Sequence, residues 1–170
     1  MTNIRQIYLD LDGVFVDFQS IVDTLFGKGI EYGDIPAKVF WKTVEKIPHL
    51  FLNLNQIPGS SGVFKYVTMI EKAYPNIKVS VLTSIPIPTG NLATATADKE
   101  HWVKRNLSPT IPVICVTGGI KKAKYATQQS LLIDDLPQNI EAFSTAGGMV
   151  IQHKSPAETL LKLISMFPNA

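Results

Sequence analysis

Cysteine is almost missing. Cys115 is the only one in 170 residues, so no intrachain disulfide braces the fold and a packed core must hold it. Its place in the strand-like run Pro112-Val113-Ile114-Cys115-Val116 reads as a buried structural thiol rather than a reactive one. No run approaches the roughly 20 consecutive apolar residues that span a bilayer, and no signal peptide stands out. A cytoplasmic protein without membrane contact is therefore expected. An excess of one charge sign is also absent: sixteen Lys and Arg against fourteen Asp and Glu leave +2. That balance speaks against a nucleic-acid partner read from net charge, while local fields can still hold a small anion. Three histidines, His49, His101 and His153, are too dispersed to form a metal spacing and read as surface or local packing residues. Repeats and low-complexity segments are lacking as well.

What the chain does have is 45% hydrophobic residues, enough for one domain with an ordinary core. Strand-like runs at Ile4–Leu9, Ile77–Leu82, Val113–Val116, Leu131–Ile133 and Met149–Ile151 alternate with helical patterns. That alternation predicts an α/β fold, a Rossmann-like parallel sheet flanked by helices. Ser60 or Ser61 is expected to cap a helix with Val63, Tyr66, Val67, Ile70 and Tyr74 on one face, and Pro75-Asn76 ends it. Ala97–Leu107 and Pro137–Thr145 have similar patterns, and a last helix over Pro156–Met166 groups Leu160, Leu161 and Ile164 against a sheet edge. Residues 18–56 break the alternation with Gly27-Lys28-Gly29, Tyr32-Gly33-Asp34 and an amphipathic piece over Val39–Ile47. This stretch reads as a small helical cap inserted after the first strand, within a single domain of residues 1–170. Such a cap would exclude water from a site beneath it and gate entry.

The first strand ends in Asp10-Leu11-Asp12-Gly13, and Leu131-Leu132-Ile133 runs into Asp134-Asp135. Carboxylates at the ends of buried strands are costly unless cations or donors compensate them. In an open α/β sheet the carboxyl ends of parallel strands meet in one crevice, so two acidic strand ends suggest one Mg²⁺ site built from Asp10, Asp134 and a group at Asp12. One of Asp10 and Asp12 then suits a nucleophile and the other an acid/base. Gly118-Gly119 lacks the rest of a nucleotide loop and reads as a turn.

These residues resemble a known set. Asp10-Leu11-Asp12-Gly13-Val14 looks like the first motif of the haloacid dehalogenase-like phosphatases, and Asp134-Asp135 looks like the fourth. Between them, Val79-Ser80-Val81-Leu82-Thr83-Ser84 resembles the second motif, a strand ending in phosphate-binding hydroxyls. Among Lys121, Lys122 and Lys124, the spacing from Asp134 favours Lys124 as the third-motif lysine. Phe18, Phe51 ahead of Ile57-Pro58-Gly59, and Leu82-Thr83-Ser84-Ile85-Pro86 are more particularly similar to the 5′(3′)-deoxyribonucleotidases. Members of that family often carry an arginine near the third-motif lysine, where this chain has Lys122.

The resemblance implies a Mg²⁺-dependent phosphomonoesterase acting on a small phosphorylated substrate, a nucleoside monophosphate, through an aspartyl phosphate. It implies Asp10, Asp12 and Lys124 as catalytic, with Thr83, Ser84 and Lys124 around the phosphate and Asp135 orienting its neighbours. Phe18, Trp41 and Phe51 would wall a nucleoside pocket; their rival reading is the cap's own core. Other readings are a phosphatase for a sugar phosphate or a nucleic-acid 3′ end, or a catalytically silent binding protein on the same fold. Assembly is open, a homodimer among the options.

Overall fold

The computed structural model describes residues 3–170. Five strands, β1 (Gln6–Leu9), β2 (Lys78–Ile85), β3 (Val113–Thr117), β4 (Ser130–Asp134) and β5 (Met149–Gln152), form one sheet in the order β3-β2-β1-β4-β5. Every pairing is parallel, which requires the crossover helices that the alternating pattern anticipates.

Helices follow at α1 (Gln19–Phe26), α2 (Ala37–Val44), α3 (Ser60–Ala73), α4 (Ala95–Asn106), α5 (Pro137–Thr145) and α6 (Pro156–Met166). Successive strand residues point to opposite faces, so the sheet divides its apolar residues between two cores. Ile7, Leu9, Val79, Val81, Leu131, Ile133 and Ile151 join the larger core with Val63, Val67 and Ile70 of α3, Trp102 and Val103 of α4, and Leu163 of α6. Leu82 and Leu132 face the smaller one, closed by Phe143 of α5 with Tyr8 and Tyr125 packed against it. Cys115, on the edge strand β3, is half-buried rather than buried, and burial pushes its thiol pKa up.

Residues 18–56 leave and rejoin the fold at one place. Val16 bridges Gln56, and the Asp17 amide donates to the Asn55 carbonyl at 2.9 Å. The excursion holds α1 and α2, and its return leg carries a short 3₁₀ turn at Leu50–Leu52. Two local expectations need correction. Gly59, with φ +83°, caps α3 without a side-chain bond, while Ser60 lies inside the helix and its hydroxyl accepts from Gln56 Nε2. On α6 the inward pair is Thr159 and Leu163; Leu161 is 67% exposed and Ile164 41%. Position 159 shares Leu163's face one turn earlier, and Thr159 is held there by a 2.8 Å hydrogen bond with His153.

Candidate active site

The register brings the predicted acids together. Leu9 pairs with Val81 on one side and Ile133 on the other, and the Asp10 amide donates to the Ile133 carbonyl at 2.9 Å. The residues that follow these three strands therefore emerge side by side, at the carboxyl edge where the strand order turns back on itself. Beyond Asp10 the chain coils tightly: the amides of Phe15 and Val16 both donate to the Leu11 carbonyl, and Gly13 N donates to Val16 O. Gly13 is required twice over. Its φ is +74°, and a Cβ there would fall onto the Asp135 carboxylate.

Asp10, Asp134 and Asp135 each offer an oxygen within 4.8 Å of the others. Asp134 is fully buried and heavily bonded: Oδ1 accepts from Leu136 N and Asn139 Nδ2, each at 3.0 Å, and Oδ2 accepts from Lys122 Nζ at 2.6 Å. Lys122 also reaches Asp10 Oδ1 at 2.7 Å, and the Leu11 amide donates to the same oxygen at 2.8 Å. Burial, and after it Asp10, pushes Asp134 up to about 6, against Lys122 and the Leu136 amide. Burial, Asp10 and Asp134 together push Asp135 up to about 8. Burial alone would lower Lys122, but the carboxylates of Asp10 and Asp134 outweigh it and hold the ammonium above its ordinary value.

Lys122 is thus the buried lysine of the acid cluster, and Lys124 is exposed. The local helix explains the difference. Gly119–Tyr125 is a 3₁₀ segment, in which residues three apart eclipse one another. Gly119 packs so closely on Asn139 that a Cβ would collide with its side-chain amide, and Tyr125 meets Tyr8 edge-on at 5.8 Å. Lys122, midway between them, shares that inward face; Lys124 falls off it. The glycine pair is a turn with a packing role, Gly118 having φ +87°.

Asp12 is kept out of the acid cluster. Its Oδ2 pairs with Lys99 Nζ, while its Oδ1 is shielded from solvent with no hydrogen-bond partner among the described residues. Burial pushes the Asp12 carboxyl up; Lys99 pulls it back, and Asp10 adds to the rise. The carboxylates that gather are those of Asp10, Asp134 and Asp135, and the Asp12 carboxylate stands apart from them on Lys99. Asp135 also brings a buried oxygen, Oδ1, that lacks a partner. A three-carboxylate cluster in which Asp135 Oδ1 has no hydrogen-bond partner among the described residues is the hard-oxygen environment that suits a divalent cation.

Lys99 was not singled out from the sequence. It is 1% exposed and also donates to Thr83 Oγ1 at 3.0 Å and to the Ser84 carbonyl at 2.7 Å. A signal existed: Ala95, Asp98, Lys99, Trp102 and Val103 form the buried stripe of α4, so a lysine stands on an apolar face where helical periodicity calls for a hydrophobe.

The aromatics gather, largely on one another. Phe18 stacks on Phe51 at 6.2 Å between centroids, and tilts against Phe40 and Trp41 at 5.7 and 6.5 Å. Phe51 is 3% exposed and packed in the larger core. Phe18 lines an open cleft of about 600 Å³ beside Gly13, Val16, Asp17, Asp135, His153 and Lys154, a lining that includes neither Trp41 nor Phe51. Among the described residues, no helix is long and apolar enough to cross a membrane.

No protein-family model and no curated protein matches the sequence. Solved structures do match the fold. A haloacid dehalogenase (HAD) superfamily hydrolase from Ehrlichia chaffeensis aligns at TM-score 0.55 and 12% identity over 98% of this chain and 99% of its own. A hydrolase from Streptococcus pneumoniae aligns at 0.52 and 15%, over 99% and 100%. A HAD family hydrolase from Deinococcus radiodurans, with bound phosphate and sodium, aligns at 0.50 and 11%, over 96% and 89%. The chain has the fold of HAD-superfamily hydrolases.

Proposed function

We propose that this protein is a phosphomonoesterase using Asp10 as nucleophile. The observation that carries the reading is the separation of the two acids one residue apart: Asp10 sits on Lys122 within a three-carboxylate cluster, and Asp12 sits on Lys99 with one oxygen unpartnered. Environments that differ in this way sort two carboxylates into two roles.

Asp10 attacks phosphorus as the ester P–O bond breaks, and protonated Asp12 gives its proton to the departing oxygen. Water then attacks the aspartyl phosphate and Asp12 takes its proton. The Asp10–phosphorus bond breaks, restoring the Asp10 carboxylate and releasing inorganic phosphate. Lys122 offsets negative charge beside Asp10 throughout, and Thr83 and Ser84 stand at the end of β2 for the phosphoryl oxygens. Asp10, Asp134 and Asp135 suit Mg²⁺, which when bound would screen the carboxylates from an incoming phosphate.

The excursion of residues 18–56 acts in this reading as a cap over the site. For the substrate we infer a nucleoside monophosphate, deoxyribonucleotides included. The support is the order of the four motifs and the partly exposed Phe18 ring on the cleft next to Asp135. Phosphate release from a panel of nucleoside monophosphates and sugar phosphates, with Mg²⁺ and with excess chelator, tests both levels. Release from sugar phosphates alone removes the nucleotide reading, and no release from any ester removes the phosphatase reading.

A further inference from the structure

Lys99 belongs to neither the acid cluster nor the strand ends, yet it bonds three groups of the site. The return leg of the excursion is stitched to α4 along one face. His49 Nδ1 bonds Asp98 at 2.9 Å, Trp102 Nε1 donates to the Leu54 carbonyl at 2.8 Å, and Arg105 donates to the Leu52 carbonyl at 2.9 Å. Lys99 lies within that seam with its Nζ 4.7 Å from the centre of the Phe51 ring, near enough for a cation–π contact. Its three donor contacts go to Asp12 Oδ2, Thr83 Oγ1 and the Ser84 carbonyl.

Each contact has a directional consequence. An ammonium donates only, so Thr83 Oγ1 receives a hydrogen bond from Lys99 and keeps its own proton to give elsewhere. Occupying Oδ2 of Asp12 leaves Oδ1 as the oxygen with no partner. A buried lysine on a helix face carries a desolvation cost that these acceptors offset, and three of its four neighbours, Asp12, Thr83 and Ser84, belong to the first two motifs.

We propose that Lys99 is a positioning residue that joins the residue 18–56 excursion to the proton-transfer step. It turns Asp12 so that Oδ1 faces the leaving oxygen and the attacking water, and it presents the Thr83 hydroxyl as a donor to phosphate. This rests on the phosphatase reading. The leaving oxygen needs Asp12's proton only when it departs as a strong base, so the loss of Lys99 should depend on the leaving group.

The test compares phenyl phosphate with 2,4-dinitrophenyl phosphate, both aryl esters, which differ in how far the departing oxygen needs a proton. Lys99→Met should lose about 10²-fold in kcat on phenyl phosphate and less than about 5-fold on the dinitrophenyl ester; Lys99→Gln serves as the second variant if the first does not fold. A readout without turnover accompanies it: in metal-free protein, the melting-temperature losses of Lys99→Met and Asp12→Asn should be strongly non-additive, since the pair loses both charges together. Wild-type protein that hydrolyses neither ester sinks the phosphatase reading itself. Wild-type turnover with an equal loss on both esters, or additive melting losses, sinks the Lys99 proposal alone.

Discussion

Two lysines are buried at the carboxyl edge of the sheet, and they come from opposite sides of it. Lys122 arrives from the smaller core, on a 3₁₀ segment packed against α5, and meets Asp10 and Asp134 with Asp135 close by. Lys99 arrives from the larger core, mid-helix, and meets one carboxylate, one hydroxyl, one carbonyl and one ring. The first lysine is outnumbered by negative charge, which leaves room for another cation. The second balances its single carboxylate. An aspartate pair one residue apart is thereby divided into a charged, cation-hungry half and a hydrogen-bonding half.

The comparison breaks most sharply at Asp10. Asp10→Asn should cost at least about 10⁴-fold in turnover, because an amide cannot form the acyl phosphate, and mass spectrometry of the quenched enzyme should find no phosphorylated protein. Appreciable steady-state turnover by this variant would mean that the acidic half does not carry the nucleophile.

Next in size is the lysine of that half. Lys122→Ala should reduce kcat by about 10²–10³-fold, whereas Lys124→Ala and Lys121→Ala, both at exposed positions, should stay within about 2-fold of wild type. Steady-state kinetics of the three variants side by side checks it, and equal small losses would make Lys122 a fold-stabilising cation only.

The contrast between Lys122 and Lys124 also marks where sequence reasoning stops. Strand ends, acidic pairs and the parallel sheet were legible because short apolar runs that end in Asp and alternate with helical patterns leave few alternatives. The identity of the lysine was not legible, since it depends on whether Gly119–Tyr125 winds with three residues per turn or more. That choice is made by the contact of Gly119 with Asn139 on α5, distant in sequence. Lys99 was hidden for a different reason: its stripe was readable as helix, but a charge on a stripe is informative only once its partners are known. The approach of the Asp135 carboxylate to Asp10 and Asp134 depends on where the strand stops: β4 ends at Asp134 and the chain turns there, so strand periodicity does not place Asp135.

A third effect separates the halves by pH. Asp135 holds its proton up to about 8 in the folded, metal-free protein, far above an unfolded carboxylate. Between the ordinary carboxylate range and about 8 the folded state binds more protons than the unfolded chain, so stability falls as pH rises through that window. Metal-free protein should therefore melt at a lower temperature at pH 8.5, above the window, than at pH 5, near its lower end, and Asp135→Asn should flatten the slope. Mg²⁺ should raise melting most at the alkaline end, where the carboxylates are ionised. A wild-type melting curve independent of pH would remove the charge-repulsion account of the acid cluster.

The smallest effect concerns the aromatics, of which Phe51 meets Lys99. Phe51 is buried, while Phe18 has an edge on the cleft beside Asp135. Phe18→Ala should raise KM for a nucleoside monophosphate about 5–10-fold, the low end of what a base gains by stacking on a ring, and leave KM for phenyl phosphate nearly unchanged. Phe51→Ala should instead lower stability by about 3–5 kcal/mol, the usual cost of emptying a core phenylalanine site, and impair both substrates alike. Trp41, outside the cleft lining but packed on Phe18 and on Phe40 at 5.0 Å, should follow Phe51 in direction. Kinetics on the two substrates together with thermal melts separate the outcomes. If Phe18→Ala destabilises the protein and weakens both substrates equally, Phe18 belongs with Phe51 in the packing of the excursion, and the nucleoside reading loses the ring it has on the cleft.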